Sequence, residues 1–202
     1  MRKTLSLALL MFVALVLSGQ AATWNVDKAH SSIGFKVSHM VISKVNGNFK
    51  QFDGTIEAPM MDEKKLDLEN SAVSMTVDVA SIDTDNEDRD KHLRSEDFFD
   101  VVQYPSMTFV SKEVIPQEGN KFKLVGDLTI KDVTKEVTFD GTFNGVVTDP
   151  WGNTKAGFSA ETTINRQDFN VEWNKTLDAG GLVVGDDVEI MIEMELAEAT
   201  ES

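Results

Sequence analysis

Residues 81–100, SIDTDNEDRDKHLRSEDFFD, hold the densest set of potential metal ligands in the 202-residue chain. Read as a calcium loop that starts at Asp83, the segment puts Asp83, Asp85 and Glu87 at positions 1, 3 and 5, but Asp88 stands at position 6, where glycine makes the turn, and Arg94 at position 12, where a bidentate Glu completes the cage. The same residues make better sense as a short solvated helix that begins near Asp85 or Asn86. Glu87 and Asp88 then sit in its positive first turn and Arg94 near its negative end. Glu87 with Lys91, and Asp90 with Arg94, are expected as i,i+4 pairs on its surface.

The other chemical candidates are weaker. His30, His39 and His92 lie far apart and form no H-x-H or H-E-x-x-H arrangement, so a metal site would have to be assembled by the fold. Residues 157–161, Gly-Phe-Ser-Ala-Glu, lack the final glycine of a G-x-S-x-G nucleophile elbow, and they alternate like a strand. No catalytic residue, metal or cofactor is assigned from these patterns.

Arg2 and Lys3, the apolar stretch from Leu5 to Leu17, and the small or polar residues 18–22 follow the grammar of an export leader, with cleavage expected near Ala21 and Ala22. The apolar run is short of the about 20 residues that span a bilayer, and no later run replaces it. The expectation is a periplasmic protein with no membrane span. No cysteine occurs anywhere, which excludes disulfides, thiolate chemistry and a lipid-modified cysteine anchor. The net charge is −15, and removal of residues 1–22 takes away two basic and no acidic groups, giving −17. Such a surface repels nucleic acid and anionic membranes.

The elements that must position any site read as strands. Ile33, Phe35, Val37 and His39 share one face; so do Val73, Met75, Val77 and Val79, then Phe122, Leu124, Leu128 and Ile130, and finally Val188, Ile190, Ile192, Met194 and Leu196. Turn signals separate such runs at Asp53-Gly54, Glu118-Gly119-Asn120, Asp140-Gly141, residues 149–153 and Gly180-Gly181. About eight antiparallel strands without repeating helices predict one all-β domain, 23–202, as a sandwich or closed barrel. Its inward phenylalanines can fill the interior outright, or a barrel of this size can leave room for one small ligand. Periodicity alone does not choose.

Several segments carry a family resemblance. WNVDKAHSSIGFKVSHM (24–40), the segment 81–100 with YPSMTF (104–109), GDLTIKDVTKEV (126–137), NRQDFN (165–170) and VGDDVEI (184–190) resemble, in order, the successive motifs of the YceI-like family. The resemblance implies a lipocalin-like antiparallel β-barrel of about eight strands with a short connector helix. It further implies an elongated apolar ligand of the polyisoprenoid or isoprenoid-quinone type, no catalytic residues, export to the periplasm, and a possible homodimer. Asp132 and Asn170 stand where that family commonly has glycine; both residue types tolerate the left-handed conformation better than most.

On that footing the expected ligand contacts are Phe35, Val37, His39, Phe49, Met75, Val77, Phe109 and Phe158 along the barrel. Leu93, Phe98 and Phe99 are expected to turn inward from the connector, with His92 and Arg94 at the rim for a polar head group. An alternative use of Leu93, Phe98 and Phe99 is to plug the barrel end. Two rival functions stay open: a small exported enzyme with a histidine and carboxylate site, and a ligand-free interaction module with a filled barrel.

Overall fold

The computed structural model describes residues 22–62, 64–176 and 182–199. The segment expected to be an export leader, save Ala22, and the Gly180-Gly181 turn signal lie outside them. The elements in chain order are β1 (Ala22–Val26), β2 (Ser32–His39), β3 (Ser43–Phe49), β4 (Phe52–Ala58), β5 (Met60–Asp62), β6 (Lys65–Leu66), β7 (Ala72–Asp78), β8 (Ile82–Asp83), α1 (Glu87–Arg94), β9 (Ser106–Pro116), β10 (Lys121–Ile130), β11 (Val133–Thr148), β12 (Thr154–Asn165) and β13 (Val184–Glu198).

Eight of these strands close on themselves in the order β1-β4-β7-β9-β10-β11-β12-β13, with β13 returning to β1. Closure leaves no free edge around the ring. Length makes this possible at β13: its last residues pair with β1 (Val26 opposite Leu196), while its first half pairs with β2 (Val37 opposite Val188). From there β2, β3 and β8 continue the wall as a flap toward α1. The fold is the lipocalin-like barrel with one short helix that the alternating runs and the family resemblance predict. Among the described residues no helix is long and apolar enough to cross a membrane.

Two predicted turns prove to be strand interior. Asp53-Gly54 lies in β4 and Asp140-Gly141 in β11. In both cases the glycine serves close side-chain packing across the strands. The turns at 118–120 and 149–153 form as expected, with Gly119 and Gly152 at φ 74° and 90°. At the β10–β11 corner the left-handed residue is Lys131 (φ 56°) and not Asp132; Asn170 is left-handed (φ 57°) and donates from Nδ2 to Asp132 Oδ1 at 3.2 Å. The two residues that depart from the family pattern thus meet each other.

The apolar interior has two parts. One, around Ile33, Phe49, Phe109, Leu128, Phe139 and Phe169, fills the end under α1. The other surrounds Trp24, which is 0 % exposed and donates from Nε1 to the Ala58 carbonyl at 3.1 Å.

Candidate functional site

An apolar cavity of about 180 Å³ lies within the barrel. Its wall comes mainly from inward residues of β2, β3, β4, β7 and β9 to β13, because period-2 alternation along a strand sends every second side chain to the lumen. Among the described residues, the polar side chains that line it are the hydroxyls of Ser71, Thr108 and Ser159, and no charged residue does. The volume sits below the about 300–1,000 Å³ typical of sites for drug-sized ligands. It is close to the about 150 Å³ of an apolar cavity that admits benzene. The interior is therefore neither solid nor wide open. Aromatic rings and the methionines Met75, Met107 and Met194 occupy much of it, and unbranched Met side chains re-pack at little cost.

Of the residues expected to meet a ligand, Phe35, Phe49, Met75, Val77, Phe109 and Phe158 stand on this wall. The other seven do not. Val37 and His39 lie farther along β2, toward the β2–β3 hairpin, past the end of the cavity. Leu93, Phe98 and Phe99 pack into the core beneath the connector, where Phe99 meets Phe49 edge-on at 6.3 Å; they form a plug. His92 meets Phe98 and Trp173 edge-on and bonds Asp97 at 2.9 Å. Arg94 donates from Nε to the Ala80 carbonyl at 2.7 Å and from its terminal nitrogen to that of Ile82. Neither lines the cavity; backbone carbonyls engage two nitrogens of Arg94, and the Asp97 carboxylate engages Nε2 of His92.

The connector itself is helical over Glu87–Arg94, with the Asn86 side chain capping Arg89 N at 2.9 Å. The two expected surface ion pairs are not formed: Asp90 turns inward to Thr84, Arg94 turns to carbonyls, and Glu87 stays beyond ion-pair distance of Lys91 among the described residues. Arg89 donates to the Thr84 hydroxyl and carbonyl at 2.7 and 2.6 Å. Three side chains of α1, those of Arg89, Asp90 and Arg94, thereby fasten the helix to β8, the turn before it and Thr84 after it.

Other expectations resolve simply. Ser159 sits in β12, paired with Thr142 and Glu193, in no strand-to-helix elbow. The three histidines do not converge, and none lines the cavity. His30 alone gathers carboxylates, with Nδ1 3.2 Å from Asp27 Oδ2 and 3.8 Å from Glu195 Oε1. There the ammonium of Lys155 already stands where a cation would, 2.6 Å from Asp27 and 3.2 Å from Glu195. Lys155 first, then His30, pushes the Asp27 carboxyl down to about 2; Asp27 in turn raises the Lys155 pKa. Sequence reasoning missed this cluster, in which Asp27 and Lys155 lie 128 positions apart and Glu195 lies farther still. It also missed Arg166, 5 % exposed, whose guanidinium donates to the carbonyls of Val171, Trp173 and Gly185 and to Asp186.

A model of the YceI-like domain matches residues 24–196. A UPF0312 protein of Staphylococcus epidermidis is 42 % identical over 175 residues, which cover 86 % of this chain and 96 % of the relative. Among solved structures, the Campylobacter jejuni YceI protein is 35 % identical with a TM-score of 0.67, over 87 % of this chain and 97 % of that one. Burkholderia cenocepacia BcnA is 30 % identical with a TM-score of 0.68, over 87 % and 99 %. A polyisoprenoid binding domain from Saccharophagus degradans shares the fold at 14 % identity and a TM-score of 0.60, over 87 % and 98 %.

Proposed function

This chain belongs to the YceI-like family, and from that premise we propose that it is a periplasmic carrier, without chemistry of its own, that holds an elongated apolar lipid of polyisoprenoid or isoprenoid-quinone type along the barrel axis. The observation that carries the reading is a closed barrel whose lumen is lined almost wholly by carbon and, among the described residues, by no charged group. The polyisoprenoid binding of the Saccharophagus degradans domain is the property brought over to this chain. A lipid chain in such a lumen gains about 0.8 kcal/mol per buried CH₂, so a five-carbon isoprene unit contributes roughly 4 kcal/mol before costs. Ordering the chain takes back part of each gain.

The cavity's 180 Å³ suits about one such unit, by the benzene-sized standard above. Longer chains then enter as side chains swing aside, and affinity rises with chain length until the barrel is full. A polar head stays outside the lumen, because burying a charge against these walls without a partner is prohibitive. The expected homodimer is part of the same family reading, and light scattering of the purified protein measures it.

The test is native mass spectrometry of the protein purified from the periplasm, with organic extraction of what it releases. A stoichiometric polyprenyl or quinone-like lipid is the expected result. A protein that carries nothing and takes up no added polyprenyl lipid overturns the carrier reading.

A further inference from the structure

Four inward positions carry no side chain: Gly54 in β4, Gly126 in β10 and Gly141 in β11 of the closed ring, and Gly47 in β3 of the flap. Each lies beneath a bulky residue of the cavity wall. Three face theirs directly across a strand pair, Gly47 opposite Phe35, Gly54 opposite Met75 and Gly141 opposite Phe122; Gly126, opposite Ser111, lies under Phe109 on the diagonal. A Cβ on these glycines would stand 2.3 Å from Phe35 Cζ, 2.1 Å from Met75 Sδ, 2.5 Å from Phe109 Cζ and 2.3 Å from Phe122 Cζ. None of the four has positive φ, so the backbone does not call for glycine. Glycine weakens a strand interior, and its use there marks close approach of another group. Here that group is always a side chain that lines the cavity.

We propose that these glycines set the length of apolar chain the barrel accepts, by letting four bulky side chains recede into the wall. The proposal rests on the carrier reading and adds which residues govern its selectivity. A methyl at any of the four positions displaces its partner, and the free space that can receive the partner is the lumen.

The four positions are not equivalent as probes. At Gly54 and Gly126 a Cβ would also strike backbone, the Ser74 carbonyl at 2.6 Å and the Val110 carbonyl at 2.5 Å, so a substitution there distorts strands. At Gly141 the near atoms all belong to the Phe122 ring, and at Gly47 to the side chains of Phe35 and Thr84. Rotation of one ring relieves the clash at Gly141. That makes Gly141→Ala the sharpest test.

Affinities of the full chain for geraniol, farnesol and geranylgeraniol, prenols of rising length, are measured by calorimetry, with circular dichroism to establish folding. In the unsubstituted protein affinity rises along the series. In Gly141→Ala the geraniol affinity is kept and the geranylgeraniol affinity falls by at least about tenfold. Removing the displaced ring in Gly141→Ala/Phe122→Ala restores the longest prenol. Phe122→Leu, which frees the same space without touching the glycine, shifts preference toward longer chains and serves if Gly141→Ala does not fold. An unchanged length profile in Phe122→Leu, or an equal loss at all lengths in a folded Gly141→Ala, overturns the glycine proposal while the carrier reading stands. An unsubstituted protein that binds no prenol overturns both.

Discussion

From inside the connector helix, the carboxylate of Asp90 accepts the backbone N–H of Thr84 at 3.0 Å and also its hydroxyl. Asp90 is 6 % exposed in a helix whose other acidic residues face water. It joins α1 to the chain leaving β8, and Arg89 closes the contact from the other side. Asp90→Ala leaves a buried amide and a buried hydroxyl without their acceptor. The expected cost is about 2–3 kcal/mol. Urea denaturation measures it, and faster amide exchange at Thr84 and through α1 separates loosening of the connector from a general loss.

The sequence carried the barrel and six of its wall residues, because period-2 alternation survives closure: Phe35, Met75 and Phe158 point inward for the same reason that Lys36, Thr76 and Glu161 point outward. It did not carry what faces what. Asp140-Gly141 has a turn's composition, and only the Phe122 ring opposite shows why glycine is needed in a strand. Arg94 and His92 looked available because their partners, the carbonyls of Ala80 and Ile82 and the ring of Trp173, lie outside the helix that carries them. Asp90 read as a surface charge because i,i+4 spacing with Arg94 is a local signal, and Thr84 overrides it by tertiary placement.

At the other end of the barrel, Lys155 joins Asp27 and Glu195 and sets an acid limit on stability. The Asp27 carboxyl lies at about 2, below its ordinary 3.8. A depressed folded-state value stabilises above the unfolded value, and that stability is lost as pH falls from about 4 through about 2. The site is partly solvated, so the contribution is about 1 kcal/mol. In Lys155→Met the urea midpoint is lower at pH 6 and falls less between pH 4 and 2, and the Asp27 carboxyl titrates at higher pH by carbon-13 NMR. A parallel fall in both proteins would assign the acid limit to other groups.

The β2–β3 hairpin turns through Met40 and Val41, at φ 50° and 64°, with Ile42 N bonded to the His39 carbonyl at 3.2 Å. Two successive positive φ values define the turn that favours Asn-Gly, and a β-branched residue there is strained. Val41 is 75 % exposed and Ile42 86 % exposed, so little packing offsets the strain. Met40→Asn/Val41→Gly is expected to stabilise the protein by about 1 kcal/mol, read as a rise in melting temperature of about 2–4 °C. A lower melting temperature would mean that the exposed apolar tip contributes packing that its exposure does not suggest.

Arg166 makes the strongest prediction. Burial lowers its pKa and the carboxylate of Asp186, 3.1 Å away, opposes that shift, so the guanidinium is kept charged in a nearly dry position. It can be held there because every direction of its fork meets an acceptor: Val171 and Trp173 on one strand of loop, Gly185 and Asp186 on the start of β13. The 3-10 turn Arg166–Phe169 thereby fixes both the loop that carries Trp173 and the first residues of β13. Arg166→Met removes the donors and leaves the Val171 carbonyl and its neighbours without them, while the carboxylate of Asp186 is partly solvated, at an expected cost of about 2–3 kcal/mol. Arg166→Lys keeps the charge, yet one ammonium cannot reach acceptors arranged for a planar fork, so it recovers only part of that loss. Trp173 reports the event locally, since it packs on Phe98 at 5.1 Å and on His92 at 4.9 Å. In Arg166→Met its fluorescence should shift toward that of a solvated indole before the barrel unfolds in urea. If Trp173 and far-ultraviolet circular dichroism move together at an unchanged midpoint, Arg166 does not hold that corner.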